Sequence, residues 1–176
     1  MPKGVTTLRT EQKKYIEIKV NSKLHKFYVG KLGHEVAPSE TLVRTLRDKL
    51  GFTGTKICCD KGACGACTVL LDSIPVPSCS ILTVECEGKS IVTIEGIEDL
   101  TTGSLHPLQQ LFIDYSAYQC GYCSPGVLLV IKALLDKNHH PSEKEVEYAL
   151  SGNYCRCGSH HSVIEAVMKY TGKEIS

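Results

Sequence analysis

The amino-acid sequence predicts an α+β fold whose first half is sheet-forming and whose second half is helical. Apolar and polar residues alternate from Tyr15 onward, and beyond Gly96 apolar residues recur at helical spacing behind Ser and Pro residues that suit helix starts. Apolar types make up 42% of 176 residues, enough to fill the core of one medium domain or of two small ones sharing an interface. The expected layout is a tail over residues 1–14, a first domain over 15–95 and a second over 96–176.

Residues 1–14 are polar and aperiodic and read as a tail or docking arm. Ile16, Ile18 and Val20 are separated by Glu17 and Lys19, and Asn21-Ser22 reads as a turn into a second strand over 24–29, which makes a hairpin. Over residues 41–50, Leu42, Val43, Leu46 and Leu50 share one helical face, and Gly51 ends the helix. A Cys- and Gly-rich loop runs from Gly54 to Cys67, followed by strands over 68–71, 74–76 and 90–94. In the second half, Ser104 is expected to cap a helix over 105–117, and His106-Pro107 belongs to its start. Ser124-Pro125 opens a helix to about Lys137, Ser142 and Glu145 form a capping box for a third, and Ser162 with Glu165 caps a fourth to Tyr170. The second of these helices is apolar nearly all round, which predicts a central, buried position.

The formal charge is +1, from 20 basic and 19 acidic residues, so there is no electrostatic case for nucleic acid or an anionic membrane surface. No apolar run approaches the ~20 residues of a membrane span, and the N-terminus lacks the apolar region of a signal peptide. A cytoplasmic location is therefore expected, where disulfides rarely persist. The 10 cysteines, bunched in short motifs, then point to metal.

Cys59, Cys64 and Cys67, with Cys79 eleven residues after Cys67, have the plant-type spacing of a [2Fe–2S] cluster. Four thiolates must converge on two irons, three of them from one tight loop, and Gly54, Gly62 and Gly65 let the loop wrap and turn amides toward sulfur. Cys120, Cys123, Cys155 and Cys157 form a second set. Each of its pairs stands just before a predicted helix start, where free amides and the positive dipole end favour an anionic centre. On spacing alone this second set suits structural zinc as well as iron and sulfide.

In order, Gly54-Thr-Lys, Cys59…Cys64-Gly-Ala-Cys-Thr-Val69, Ser78-Cys79, Thr93-Ile-Glu-Gly96, His106-Pro-Leu-Gln109, Gln119-Cys-Gly-Tyr-Cys-Ser-Pro-Gly126 and Gly152-Asn-Tyr-Cys-Arg-Cys157 occupy most of residues 15–170. This series resembles the small [2Fe–2S] subunit of the xanthine dehydrogenase / molybdenum hydroxylase family. The resemblance implies a β-grasp, plant-type ferredoxin domain followed by a four-helix [2Fe–2S]-binding bundle, with a cluster rather than zinc on the second cysteine set. It further implies that Gln119 contacts the molybdopterin of a separate large subunit and that Cys157 lies on the side facing it. The cluster on Cys59, Cys64, Cys67 and Cys79 would pass electrons outward, usually to a FAD-binding medium subunit, in a hetero-oligomer such as a dimer of heterotrimers.

The sequence departs from that family pattern in two places: Cys58 stands where glycine is common, and Gly158-Ser159-His160 replaces Thr-Gly-Tyr. By spacing Cys59 is the ligand and Cys58 a bystander. Cys86 fits no motif and reads as a small buried residue. Arg156 reads equally as a charge that raises the cluster potential and as an ordinary surface arginine. His139-His140 and His160-His161 fall at predicted helix ends and read as solvated or dipole-facing. Dinucleotide, P-loop, zincin and nucleophile-elbow motifs are missing from the sequence. No catalytic residue is therefore expected, and the chain reads as a one-electron carrier rather than a free-standing ferredoxin or a zinc-stapled module.

Overall fold

The computed structural model describes residues 15–98 and 102–172. The expected tail over 1–14 lies outside the described residues. Two hairpins are built the same way. β1 (Tyr15–Val20) and β2 (Lys23–Tyr28) pair antiparallel with Val20 opposite Lys23, and Asn21 and Ser22 both have positive φ, 48° and 68°. β3 (Thr68–Leu71) and β4 (Ile74–Pro77) repeat this across Asp72 and Ser73, at 48° and 67°. Two positive φ values in a two-residue loop match the right-handed twist of the flanking strands. β5 (Ser90–Val92) runs parallel to β1 and antiparallel to β3, giving the mixed order β2-β1-β5-β3-β4. Asn21 fastens the first turn to the end of β5, donating to Thr93 Oγ1 and accepting from the Thr93 amide, both at 2.9 Å.

The helix expected over 41–50 is only partly α-helical. α1 covers Leu42–Arg44, and Thr45–Lys49 widens into a π turn closed by the Leu50 amide on the Thr45 carbonyl. Thr45 is fully buried, and its hydroxyl reaches Glu40 Oε1 at 2.6 Å and Thr83 Oγ1 at 2.7 Å. The widened turn satisfies that hydroxyl while Leu42, Val43 and Leu46 stay buried. Leu42 and Leu46 meet Ile16, Ile18, Val20, Val69 and Ile91 of the sheet, together with Cys86. Burial pushes the Cys86 thiol up to about 11, the behaviour of a small core residue.

The second half contains α2 (Pro107–Asp114), α3 (Ser124–Lys137), α4 (Glu143–Leu150) and α5 (His160–Tyr170). α3 has the expected span, although Cys123 rather than Ser124 is its N-cap. α4 is capped as expected: the Glu145 amide donates to Ser142 Oγ, and the Ser142 amide donates to Glu145 Oε2. Three boundaries differ from expectation. α2 begins at Pro107, with His106 Nδ1 accepting from the Leu108 amide at 3.2 Å, because the residue before a proline is driven to extended geometry. It stops early at Ser116, whose φ is +48°. α5 starts two residues sooner than expected, behind Ser159 rather than Ser162.

The near-continuous apolar surface of α3 has two covers. Val127, Leu128, Val130, Ile131 and Leu135 pack within the helices, whereas Leu129 and Ala133 pack on Leu70 and Ile97, with Val92 and Ile94 beside them. One helix therefore lines the helical core and also packs on Leu70 of β3 and Val92 of β5, on the sheet face away from α1. Among the described residues, no helix is long and apolar enough to cross a membrane.

Candidate metal centres

The first cysteine loop is fastened at its root. The Gly54 amide donates to Glu95 Oε1 at 2.7 Å, and Arg47 Nη1 donates to the Thr53 and Thr55 carbonyls at 2.7 Å each. The loop then turns through Gly62 and Gly65, with φ of +74° and +69°. These turns aim amides at sulfur: Gly62 N lies 3.2 Å from Cys79 Sγ, and Ala63 N lies 3.3 Å from Cys59 Sγ. A Cβ on Gly62 would sit 2.7 Å from Ser80 Oγ. Cys59 and Cys64 hydrogen-bond thiol to thiol, as do Cys67 and Cys79. Cys67 and Cys79 are buried against Val43 and Ile57, whereas Cys58 is exposed.

Hydrogen bonding and burial set Cys59 and Cys64 apart. Hydrogen bonds from the Lys61 amide, then from the Cys64 thiol and neighbouring amides, bring the Cys59 thiol down to about 7. Burial raises Cys64, and it pushes Cys67 up to about 11.

The second set forms where three segments meet. Cys123 caps α3, and Cys155 and Cys157 lie just before Ser159, the N-cap of α5. The Cys123 and Cys155 thiols hydrogen-bond, and Cys120 is close enough for its charge to raise Cys123. Burial is the main cause that pushes Cys123 up to about 11. Burial also pushes Cys155 up, but bonds from the Ser159 hydroxyl and amide, the Cys123 thiol and the Cys157 amide outweigh it and bring Cys155 down to about 7. Gln119 Nε2 donates to the Cys157 carbonyl at 3.0 Å, which places both residues on one exposed edge. Tyr118, Tyr122 and Tyr154 stand exposed along the same edge, and the exposed Arg156 donates to Tyr154 Oη at 3.2 Å. His139, His140 and His161 are exposed.

The two sets are joined by contacts that sequence reasoning missed. The Tyr154 amide donates to the Cys64 carbonyl at 2.9 Å. Asn153 Nδ2 donates to the Gly65 carbonyl at 3.1 Å, and the Tyr122 hydroxyl donates to the Ile57 carbonyl. Gly126 allows the approach, since a Cβ there would lie 2.2 Å from the Gly65 carbonyl oxygen. The only sequence signal was Gly152-Asn153-Tyr154 running directly into Cys155.

A family model described as a [2Fe-2S] binding domain matches residues 93–168. The nicotinate dehydrogenase small FeS subunit of Eubacterium barkeri is 43% identical over 130 residues, covering 74% of this chain and 82% of its own. The chain belongs to the small iron–sulfur subunits of the xanthine dehydrogenase / molybdenum hydroxylase family. The nicotine 6-hydroxylase small subunit of Paenarthrobacter nicotinovorans is 44% identical over 134 residues, covering 76% of this chain and 79% of its own. The crystal structure of quinoline 2-oxidoreductase from Pseudomonas putida 86 aligns with a TM-score of 0.82 at 39% identity, over 91% of this chain and 93% of that one. As a small iron–sulfur subunit, the chain is the electron-transfer, non-catalytic component of a molybdenum-dependent oxidoreductase complex.

The donor sets fit that chemistry. In a two-iron cluster each iron takes two thiolates and shares bridging sulfides, so thiols are required in pairs with amides turned toward them. Cys59 and Cys64, Cys67 and Cys79, and Cys123 and Cys155 stand close enough for each thiol to shift its neighbour's protonation. Among the described residues, no three His, Cys, Asp or Glu side chains converge as they would around a single ion.

Proposed function

We propose that the chain carries two [2Fe–2S] clusters and relays single electrons between a molybdopterin site on a large subunit and a FAD-binding subunit or an external carrier. Cys59, Cys64, Cys67 and Cys79 hold one cluster, and Cys120, Cys123, Cys155 and Cys157 hold the other. In this reading the sheet half, residues 15–95, is a β-grasp ferredoxin domain and residues 96–176 form a four-helix bundle. Each cluster accepts and releases one electron when bound, so a two-electron oxidation elsewhere in the complex is passed on in single steps.

The observation that carries the reading is the hydrogen bond from the Tyr154 amide to the Cys64 carbonyl, because it ties the residue before Cys155 to the first cysteine loop and so supports a relay between neighbouring centres. The chain's own residues turn amides to sulfur and exclude water from Cys67 and Cys79. Gln119 and Cys157, on their exposed aromatic edge, form the face toward the molybdopterin subunit. The complex is expected in the cytoplasm as a hetero-oligomer such as a dimer of heterotrimers.

Iron and sulfide analysis of the native complex tests this directly, with about four irons per chain and two paramagnetic signals expected on reduction. A colourless, zinc-containing protein, or a chain purifying without larger partners, overturns it. Cys64→Ser is expected to remove one signal and spare the other, and Cys123→Ser to do the reverse and weaken assembly with the pterin subunit. Loss of both signals from a folded Cys64→Ser chain would break the two-site assignment.

A further inference from the structure

Two helices of the second half have a serine as N-cap, and the two serines use their hydroxyls differently. Ser142 Oγ accepts from the Glu145 amide at 3.3 Å and so caps α4. Ser159 caps α5 with its backbone alone: its carbonyl takes the Val163 amide at 3.0 Å, and its side chain makes no cap bond. The Ser159 hydroxyl lies instead 3.1 Å from Cys155 Sγ, and its amide lies 3.5 Å from the same sulfur. Ser159 is 6% exposed, so water does not compete for that hydroxyl. The first set has two serines beside sulfur: the buried Ser78, next to Cys67, whose hydroxyl donates to the Cys67 carbonyl at 2.6 Å, and Ser80. Ser80 Oγ stands 3.7 Å from Cys79 Sγ on an exposed residue.

A thiolate bound to iron has no proton to give, so in the loaded protein the Ser159 hydroxyl is the donor. A donor on a ligand sulfur withdraws charge from the iron–sulfur unit and favours its more negative, reduced form. We propose that Ser159 is a positioning residue that raises the reduction potential of the cluster on Cys120, Cys123, Cys155 and Cys157 through its hydroxyl bond to Cys155. The inference rests on the reading of Cys155 as a cluster ligand. Through that bond Ser159 favours an electron resting on the helical centre.

EPR-monitored potentiometry on the native complex, with Ser159→Ala, Ser159→Gly and Ser159→Thr variants, tests the proposal. Alanine and glycine are expected to shift one cluster's electron-sharing equilibrium three- to tenfold toward the oxidised form. That corresponds to about 30–60 mV lower, at ~59 mV per tenfold for one electron. The other cluster should keep its potential, and threonine, which retains the hydroxyl, should restore the wild-type value. Glycine N-caps helices almost as well as serine, so the test does not depend on one variant folding. Unchanged potentials in loaded alanine and glycine variants overturn the proposal, as does an equal shift with threonine. A wild-type complex without iron–sulfur signals would instead sink the underlying cluster assignment.

Discussion

Within each cysteine set, neighbouring thiols of the same kind are held in unlike states. Cys59 and Cys155 are brought down to about 7, whereas Cys67 and Cys123 are pushed up to about 11. In folded protein stripped of iron, Cys59 and Cys155 should therefore be thiolates above pH 7 and lose that form as pH falls through it. Alkylation at pH 8 read by peptide mass spectrometry should label these two well before Cys67 and Cys123, and equal rates would contradict the assignment. The spacing on which the ligand proposal rests was legible because Cys59, Cys64 and Cys67 are neighbours in sequence, and loop chemistry constrains their spacing. The contacts joining the two sets were not. Asn153 bonds Gly65 across 88 positions and Tyr122 bonds Ile57 across 65, separations at which local pattern carries no signal. Ser159 stood out in the sequence as part of a departure from the family pattern, and its hydroxyl turns to sulfur only once the fold brings it back toward Cys155.

At the level of elements, strand spans and the α3 span followed from periodicity and turn chemistry, since Asn21-Ser22 permits positive φ and Gly51 ends a helix. The π turn after α1 was not legible, because it answers to the buried hydroxyl partners of Thr45, which come from Glu40 and Thr83. The start of α2 offers a test. His106 caps it through Nδ1, and burial, then the Lys132 charge, lowers its pKa below the usual 6.5. The unfolded chain therefore takes up the proton first as pH falls. This group's contribution to stability is whole above pH 6.5 and is lost from there toward the lower folded value. Asn in place of His106 keeps a capping oxygen and removes the titration, so its thermal midpoint should fall less between pH 7 and pH 5 than that of wild type. Parallel curves would refute the capping role. For α3, Leu129→Ala in the seam should cost about 2–5 kcal/mol by thermal unfolding. A cost no larger than that of Leu105→Ala, at a 44% exposed position, would mean the seam is not packed.

The whole molecule has a sheet core and a helical core. Helix α3 lines the second and is seated on the opposite face of the sheet from the first, and hydrogen bonds tie the two cysteine loops together. Asn153 is 5% exposed and supplies a donor to the Gly65 carbonyl. Asn153→Ala should cost about 1 kcal/mol, the net worth of one hydrogen bond, since the Gly65 carbonyl keeps the Thr68 hydroxyl at 2.7 Å and the Thr68 amide at 3.1 Å. It should also speed iron loss from the set containing Cys64, although the substitution lies beside the other set. Iron retention equal to wild type would show that the loops are held independently. The seam under α3 has a broader consequence. Leu70 and Ile97 meet Leu129 and Ala133 with no linker between them, so cutting the chain near its middle would bare an oily strip on each fragment. The halves are thus poor candidates for exchange with those of a relative, and a graft must bring both sides of the strip together or expect clumping.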